Sequence, residues 1–188
     1  MCAWVNVTSS SSWNYVMGWE ATQDLTSNTH DRQIWIRSDL KPEFYIYDGT
    51  TEFATSTRTI SLNTWVFLCG VVNGTSSNLL YLNGTLETVN PTDNWAYNSY
   101  TTPYFGIGKG KNSTNQQLYF NGFIDNAVVY NYTLSAQQIN QLYIEGLNNY
   151  QNSTLVSQEL SLADNWTCQI TPNDAFNDGI MKQNSTLI

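Results

Sequence analysis

Two Asn-Gly pairs set the terms on which this chain can fold. Asn73-Gly74 follows the run Trp65-Val66-Phe67-Leu68-Cys69-Gly70-Val71-Val72, and Asn83-Gly84 follows Leu79-Leu80-Tyr81-Leu82. A tight antiparallel hairpin turn needs positive φ, which Asn and Gly reach most cheaply. Turns this close together leave no room for a helix between them. The first run is apolar on both alternating faces, which predicts a central strand covered on both sides.

The rest of the chain repeats the pattern. Short β-forming runs occupy residues 1–7, 13–19, 33–37, 44–47, 53–60, 86–89, 104–108, 118–122 and 123–130. Ser, Asn and Gly clusters separate them, as in a sandwich or barrel. Pro42 lacks the N–H a ladder needs and marks an edge or a strand start. Asp48-Gly49 is a further hairpin signal. The polar stretch 20–31 and the stretch 90–102 read as long loops. One segment breaks the pattern. Ser135 with Gln138 forms a capping box, Ile139, Leu142 and Tyr143 share a helical face, and Gly146 suits the position after a helix end. This predicts one short helix over 136–145, lying on the sandwich as a lid. After a first domain, 1–146, a polar connector covers 147–154. Residues 155–188 return to strand character, with too few strands to bury a core of their own.

Composition narrows the class. The 188 residues suit one large β domain, and only 12% are charged while 14% are aromatic, which is not the recipe for disorder. The net charge of −8 would repel a phosphate backbone, so no nucleic-acid partner is expected. No run of eighteen apolar residues occurs, so no membrane-spanning helix is expected. The single histidine, His30, lies in a polar stretch, which excludes a two-His zinc site and leaves little for a triad.

Cys2, Cys69 and Cys168 lack metal or redox spacing, and Cys69 reads as a buried small hydrophobe. Whether the three are free or paired stays open. Eight sequons stand at Asn6, Asn73, Asn83, Asn112, Asn131, Asn152, Asn165 and Asn184. A random chain of this composition would carry about five, so the excess is mild. The weakly charged, Asn- and Thr-rich surface reads as extracellular or cell-surface. Met1 enters directly into a strand pattern, so the expectation is a fragment of a longer secreted or surface protein.

Several of these segments resemble a known family. Trp65 through Gly84 resembles the W-x-x-v…l-Y-x-N-G hairpin of laminin-G-like, concanavalin A-like jelly-roll domains. Residues 105–108, Phe-Gly-Ile-Gly, resemble its "I-G" strand. Residues 119–135 resemble its F-x-G-x-I-D-x-v-x-i-Y signature and the approach to its closing helix, and Ala3-Trp4-Val5 its early "A-W-V" strand. The resemblance covers about residues 2–146. It implies an all-β, antiparallel, two-sheet jelly-roll sandwich, with N-terminal strands missing before Ala3. Residues 164–179 resemble the last strands of an immunoglobulin-like module, with Cys168 in the second-to-last strand.

The resemblance implies a non-catalytic module of a surface protein that binds carbohydrate or a protein partner, beside other domains of its own polypeptide. The alternatives are a structural spacer and, remotely, a glycoside hydrolase. Hydrolases of this fold place closely spaced acids on one strand. Here Glu20, Asp24, Asp39, Glu43, Asp48 and Glu52 are scattered, mostly near turns. Sugar binding needs aromatic faces with amides and hydroxyls around them. Trp95, Tyr97 and Tyr100 in the 90–102 stretch supply that chemistry, and Trp13 and Trp19 are alternatives. Asp125 interrupts an apolar strand, so its carboxylate is either hydrogen-bonded to backbone or holds a cation. Calcium, held near this part of the sandwich in some relatives, is the metal to consider, although no acid-rich loop accompanies it. No cofactor is otherwise expected.

Overall fold

The computed structural model describes residues 1–20, 30–47, 51–73, 77–91, 104–111, 117–148, 165–170 and 182–187. The chain divides into two units, Met1–Gln151 and Asn152–Ile188. The first is an antiparallel jelly-roll sandwich. One sheet holds, in spatial order, β12 (Gly122–Val128), β1 (Cys2–Val7), β6 (Trp65–Asn73), β7 (Ser77–Leu82) and β8 (Thr85–Pro91). The other holds β5 (Thr51–Thr55), β4 (Pro42–Tyr47), β3 (His30–Ile36), β2 (Asn14–Glu20) and β9 (Tyr104–Ile107). A hairpin of β10 (Lys109–Lys111) and β11 (Gln117–Tyr119) accompanies the second sheet. In the second unit β13 (Asn165–Ile170) pairs antiparallel with β14 (Lys182–Leu187).

Period-two alternation builds the layers. On β1, Ala3, Val5 and Val7 face the inter-sheet core, where they meet Val66, Leu68, Leu80, Leu82, Ile34, Ile36, Phe44 and Ile46. Cys2 and Trp4 face the opposite way with Phe67, Cys69, Val71 and Tyr81. As the alternation predicts, β6 is an interior strand, flanked by β1 and β7. Gly70 has no side chain because Phe44 of the facing sheet occupies that space: a β-carbon there would overlap the ring.

Helix α1 (Ala136–Asn148) covers the outer face of the first sheet. Its capping box forms as predicted: Ser135 N–H donates to Gln138 Oε1 at 2.8 Å, and Gln138 N–H to Ser135 Oγ at 3.2 Å. Ile139 is fully buried, and Tyr143 stacks on Trp4 with ring centres 5.6 Å apart. The helix runs beyond the expected end at 145. Gly146 lies inside it rather than after it, because the Trp4 indole fills the space where a side chain would go.

Other boundaries shift for tertiary reasons. The Asn83-Gly84 turn forms with both residues at positive φ, 52° and 73°. Asn73 is paired opposite Ser77 at the end of β6, and Gly74 lies outside the described residues. Residues 56–60 are not strand. The chain leaves the ladder after Thr55, where Ser56 Oγ turns to Arg58 O and Glu87, and Ile60 re-enters the core. His30 and Asp31, expected in a loop, open β3, with His30 opposite Glu20. Asp48-Gly49 lies outside the described residues.

Cys2 and Cys69 form a disulfide, and Cys69 is therefore more than a small buried hydrophobe. The ladder explains it. Gly70 N–H donates to Met1 O at 2.9 Å, so the next pair along, Cys2 and Cys69, is a non-hydrogen-bonded one. Side chains approach most closely at such pairs, and here the Cα atoms are 4.1 Å apart.

Candidate ligand-binding cleft

A cleft of about 300 Å³ opens at one end of the sandwich. Met1 and five further stretches build it. From β2 and β3 come Trp19 and Arg32, which alternation turns toward the inter-sheet space. From β4 comes Phe44, 1% exposed. Gly70, Val71 and Val72 of β6 form the facing wall, and residues 129–134, between β12 and α1, complete it.

The last stretch is anchored. Thr133 Oγ1 donates to Val72 O at 3.0 Å, and Leu134 is buried under α1. Tyr130 and Tyr132 meet edge to face at 5.7 Å, and the Tyr132 ring is 55% exposed. Trp19, half-buried, is braced by Phe105 with ring centres 4.8 Å apart. Among the described lining residues Arg32 is the one charged side chain, and none is Asp or Glu. The lining offers aromatic faces, a guanidinium, the Asn131 carboxamide and hydroxyls, which is hydrogen-bonding and stacking chemistry without an acid–base pair.

The other residues singled out from sequence fall elsewhere. Trp95, Tyr97 and Tyr100 lie outside the described residues. Trp13 is on the outer face of the second sheet, edge-on to Trp35 at 5.1 Å and 5.6 Å from the Arg37 guanidinium. Asp125 is exposed beside Trp4 on the outer face of the first sheet, and its Oδ1 accepts the Asn126 N–H at 2.8 Å. Among the described residues no group of three or more His, Cys, Asp or Glu stands close enough to hold a metal ion.

The sequons differ in what their side chains already do. Asn73 and Asn131 are exposed. Asn83 is half-buried and its Oδ1 accepts the Phe67 N–H at 2.9 Å. Asn6 is half-buried, with Oδ1 buried and accepting no hydrogen bond. Asn165 and Asn184 lie on β13 and β14, and Asn112 and Asn152 are outside the described residues.

Glu43 is not near a turn but within β4, its side chain 2% exposed. It accepts the Trp35 indole N–H at 2.8 Å and the Thr55 hydroxyl at 2.5 Å, with Arg37 Nη1 at 3.6 Å. Trp35, Tyr15 and Tyr45 are almost fully buried under Leu118 and Trp13, a second aromatic layer outside the sandwich core. No local pattern marks Glu43 in the sequence, because its partners come from the strands on either side of β4: Trp35 in β3, Arg37 just beyond it, and Thr55 in β5.

Sheet order, the closing helix and the open end together define a lectin-type jelly roll. The chain belongs to the concanavalin A-like lectin/glucanases superfamily, whose laminin G-type family model matches residues 1–140. No curated protein matches it by sequence. Three solved structures are similar in fold. A heptameric SAP-like pentraxin from Limulus polyphemus superposes with a TM-score of 0.58 at 14% identity, over 76% of this chain and 67% of that one. The CBM40 of the Ruminococcus gnavus IT-sialidase, bound to α2,3 sialyllactose, gives 0.58 at 13%, over 76% and 80%. Domain 4 of AbnA, a GH43 extracellular arabinanase from Geobacillus stearothermophilus, in complex with arabinotriose, gives 0.51 at 15%, over 76% and 64%. At these identities the likeness is one of fold.

Proposed function

We propose that this chain is a non-catalytic, extracellular carbohydrate-binding domain of a larger surface protein, and that the cleft is its sugar site. The carrying observation is the lining: Trp19, Tyr130 and Tyr132 supply ring faces, and Asn131, Thr133 and Arg32 supply hydrogen bonds, with no carboxylate among them. A retaining or inverting hydrolase needs two carboxyl groups about 5 to 9.5 Å apart across the scissile bond. The sialyllactose and arabinotriose held by two of the similar structures favour a glycan over a protein partner. The Cys2–Cys69 disulfide supports an oxidising, extracellular setting. Trp95, Tyr97 and Tyr100 remain candidate sugar-stacking residues on this reading. Residues 155–188 form part of an immunoglobulin-like module, for which the β13–β14 hairpin and Cys168 speak.

A glycan array probed with the whole chain tests this. At least one glycan should bind. Trp19→Ala should weaken it by about tenfold or more, as loss of a stacking ring does, and Trp95→Ala by a similar factor. A folded chain that binds nothing on a broad array would leave it a structural spacer. Binding that Trp19→Ala leaves intact would move the site elsewhere.

A further inference from the structure

We propose that Asn131 carries an N-linked glycan whose first sugars close the mouth of the cleft, so that modification of this one residue switches sugar binding off. This rests on the reading of the cleft as an extracellular sugar site and goes further, to how that site is regulated.

Placement sets Asn131 apart from the other sequons. Asn131-Tyr132-Thr133 has no proline in the middle, as an acceptor requires. Among the sequons of the described residues, Asn6, Asn73, Asn165 and Asn184 stand on strands. Asn83 is half-buried and commits its Oδ1 to the Phe67 N–H at 2.9 Å. Asn131 is exposed, stands outside any strand in the segment between β12 and α1, and lines the cleft. The segment cannot swing it away. Two residues on, Thr133 Oγ1 is bonded to Val72 O at 3.0 Å, and Leu134 is buried under α1. A glycan on Asn131 therefore stays at the opening.

Its bulk and its tether both favour closure. The cleft holds about 300 Å³, the small end for ligand sites, and an N-linked glycan of several sugars is larger than the opening it stands beside. The Tyr132 ring, 55% exposed, offers a face to its first sugar. A group held on a short tether acts at an effective concentration on the order of millimolar, and a free sugar of equal affinity has to exceed that to displace it. The modification itself consumes a lipid pyrophosphate-linked oligosaccharide. The Asn131 Nδ2–C1 bond forms as the C1–O bond to pyrophosphate breaks. Nδ2 gives up one proton, and the lipid pyrophosphate leaves with the electron pair.

The test compares the whole chain secreted from a eukaryotic cell line with the same chain made without carbohydrate in a bacterial periplasm. Glycopeptide mass spectrometry should find Asn131 occupied in the secreted chain. On the glycan array the carbohydrate-free chain should bind, and the form occupied at Asn131 should bind the same glycans at least tenfold more weakly. Asn131→Gln, secreted from the same cells, should bind more tightly than its glycosylated parent. Asn73→Gln, which removes the other exposed sequon, should leave the block in place. Should Asn131→Gln fail to fold, the carbohydrate-free chain still supplies the comparison. A bare Asn131 in the secreted chain would overturn the modification and leave the sugar site standing. Occupancy at Asn131 with undiminished binding would overturn the closure. A carbohydrate-free chain that binds nothing would overturn the sugar-site reading, and the closure with it.

Discussion

Gly146, in the last turn of α1, lies against the indole of Trp4 so closely that a β-carbon would overlap Nε1. Trp4 is itself held by Tyr143 and Phe67, each with ring centres 5.6 Å away, and is 8% exposed. Helix and sheet are thereby locked at one point, and the ring has little freedom to yield.

Gly146→Ala should therefore destabilise the domain. In an open helix the change would gain about 1 kcal/mol. Overpacking against a ring held in place costs about 1–3 kcal/mol and outweighs it. Chemical denaturation should show a lower midpoint. Combining it with Trp4→Phe should recover part of the loss. A midpoint that rises would mean the helix end lifts off the sheet.

The Cys2–Cys69 bond closes a loop between residues 67 apart in sequence. Cross-links of this kind stabilise by about 2–4 kcal/mol, mainly by restricting the unfolded chain. Urea unfolding with and without a reductant should differ by that amount. The double variant Cys2→Ala with Cys69→Ala should match the reduced protein and be indifferent to the reductant. Equal midpoints in all three conditions would show that the sulfurs are not bonded in solution.

Glu87 sets an acid limit on stability. Burial alone would push its carboxyl up. The Arg58 guanidinium, the Thr57 and Ser56 hydroxyls and the Arg58 N–H together more than reverse this and bring it to about 2, against an ordinary 4.5. A carboxyl depressed in the folded state adds stability that is full above its unfolded value and fades as pH falls toward its folded one. The denaturation midpoint should thus drop between pH 4.5 and about 2. Glu87→Gln should flatten that part of the profile while lowering the midpoint at neutral pH. An unchanged acid limb in the variant would assign the loss to other carboxyls.

Ser135→Ala should remove the hydroxyl that accepts the Gln138 N–H and destabilise α1 by about 1 kcal/mol. Circular dichroism on heating should show a lower melting temperature with the starting spectrum nearly unchanged. Ser135→Asp, which keeps an acceptor, should restore most of it.

Much of this molecule is written locally. Positive φ at Asn83 and Gly84 follows from two residues, and the cap of α1 follows from Ser135 and Gln138 four positions long. The inward and outward faces of β6 follow from a run that is apolar on both. These features depend on neighbours in the chain, and so does the all-β class. Tertiary structure decided the rest, because it depends on which strand lies beside which and in what register. The disulfide exists because β1 and β6 pair so that Cys2 faces Cys69. Gly146 belongs inside the helix because Trp4 stands beneath it. Glu43 is buried because Trp35, Arg37 and Thr55 converge on it from adjoining strands. The cleft brings together Trp19, Arg32, Phe44, Gly70 and Tyr132 from separate parts of the chain, and no spacing within any one segment encodes that meeting, since it is fixed only when two sheets pack face to face and leave one end open.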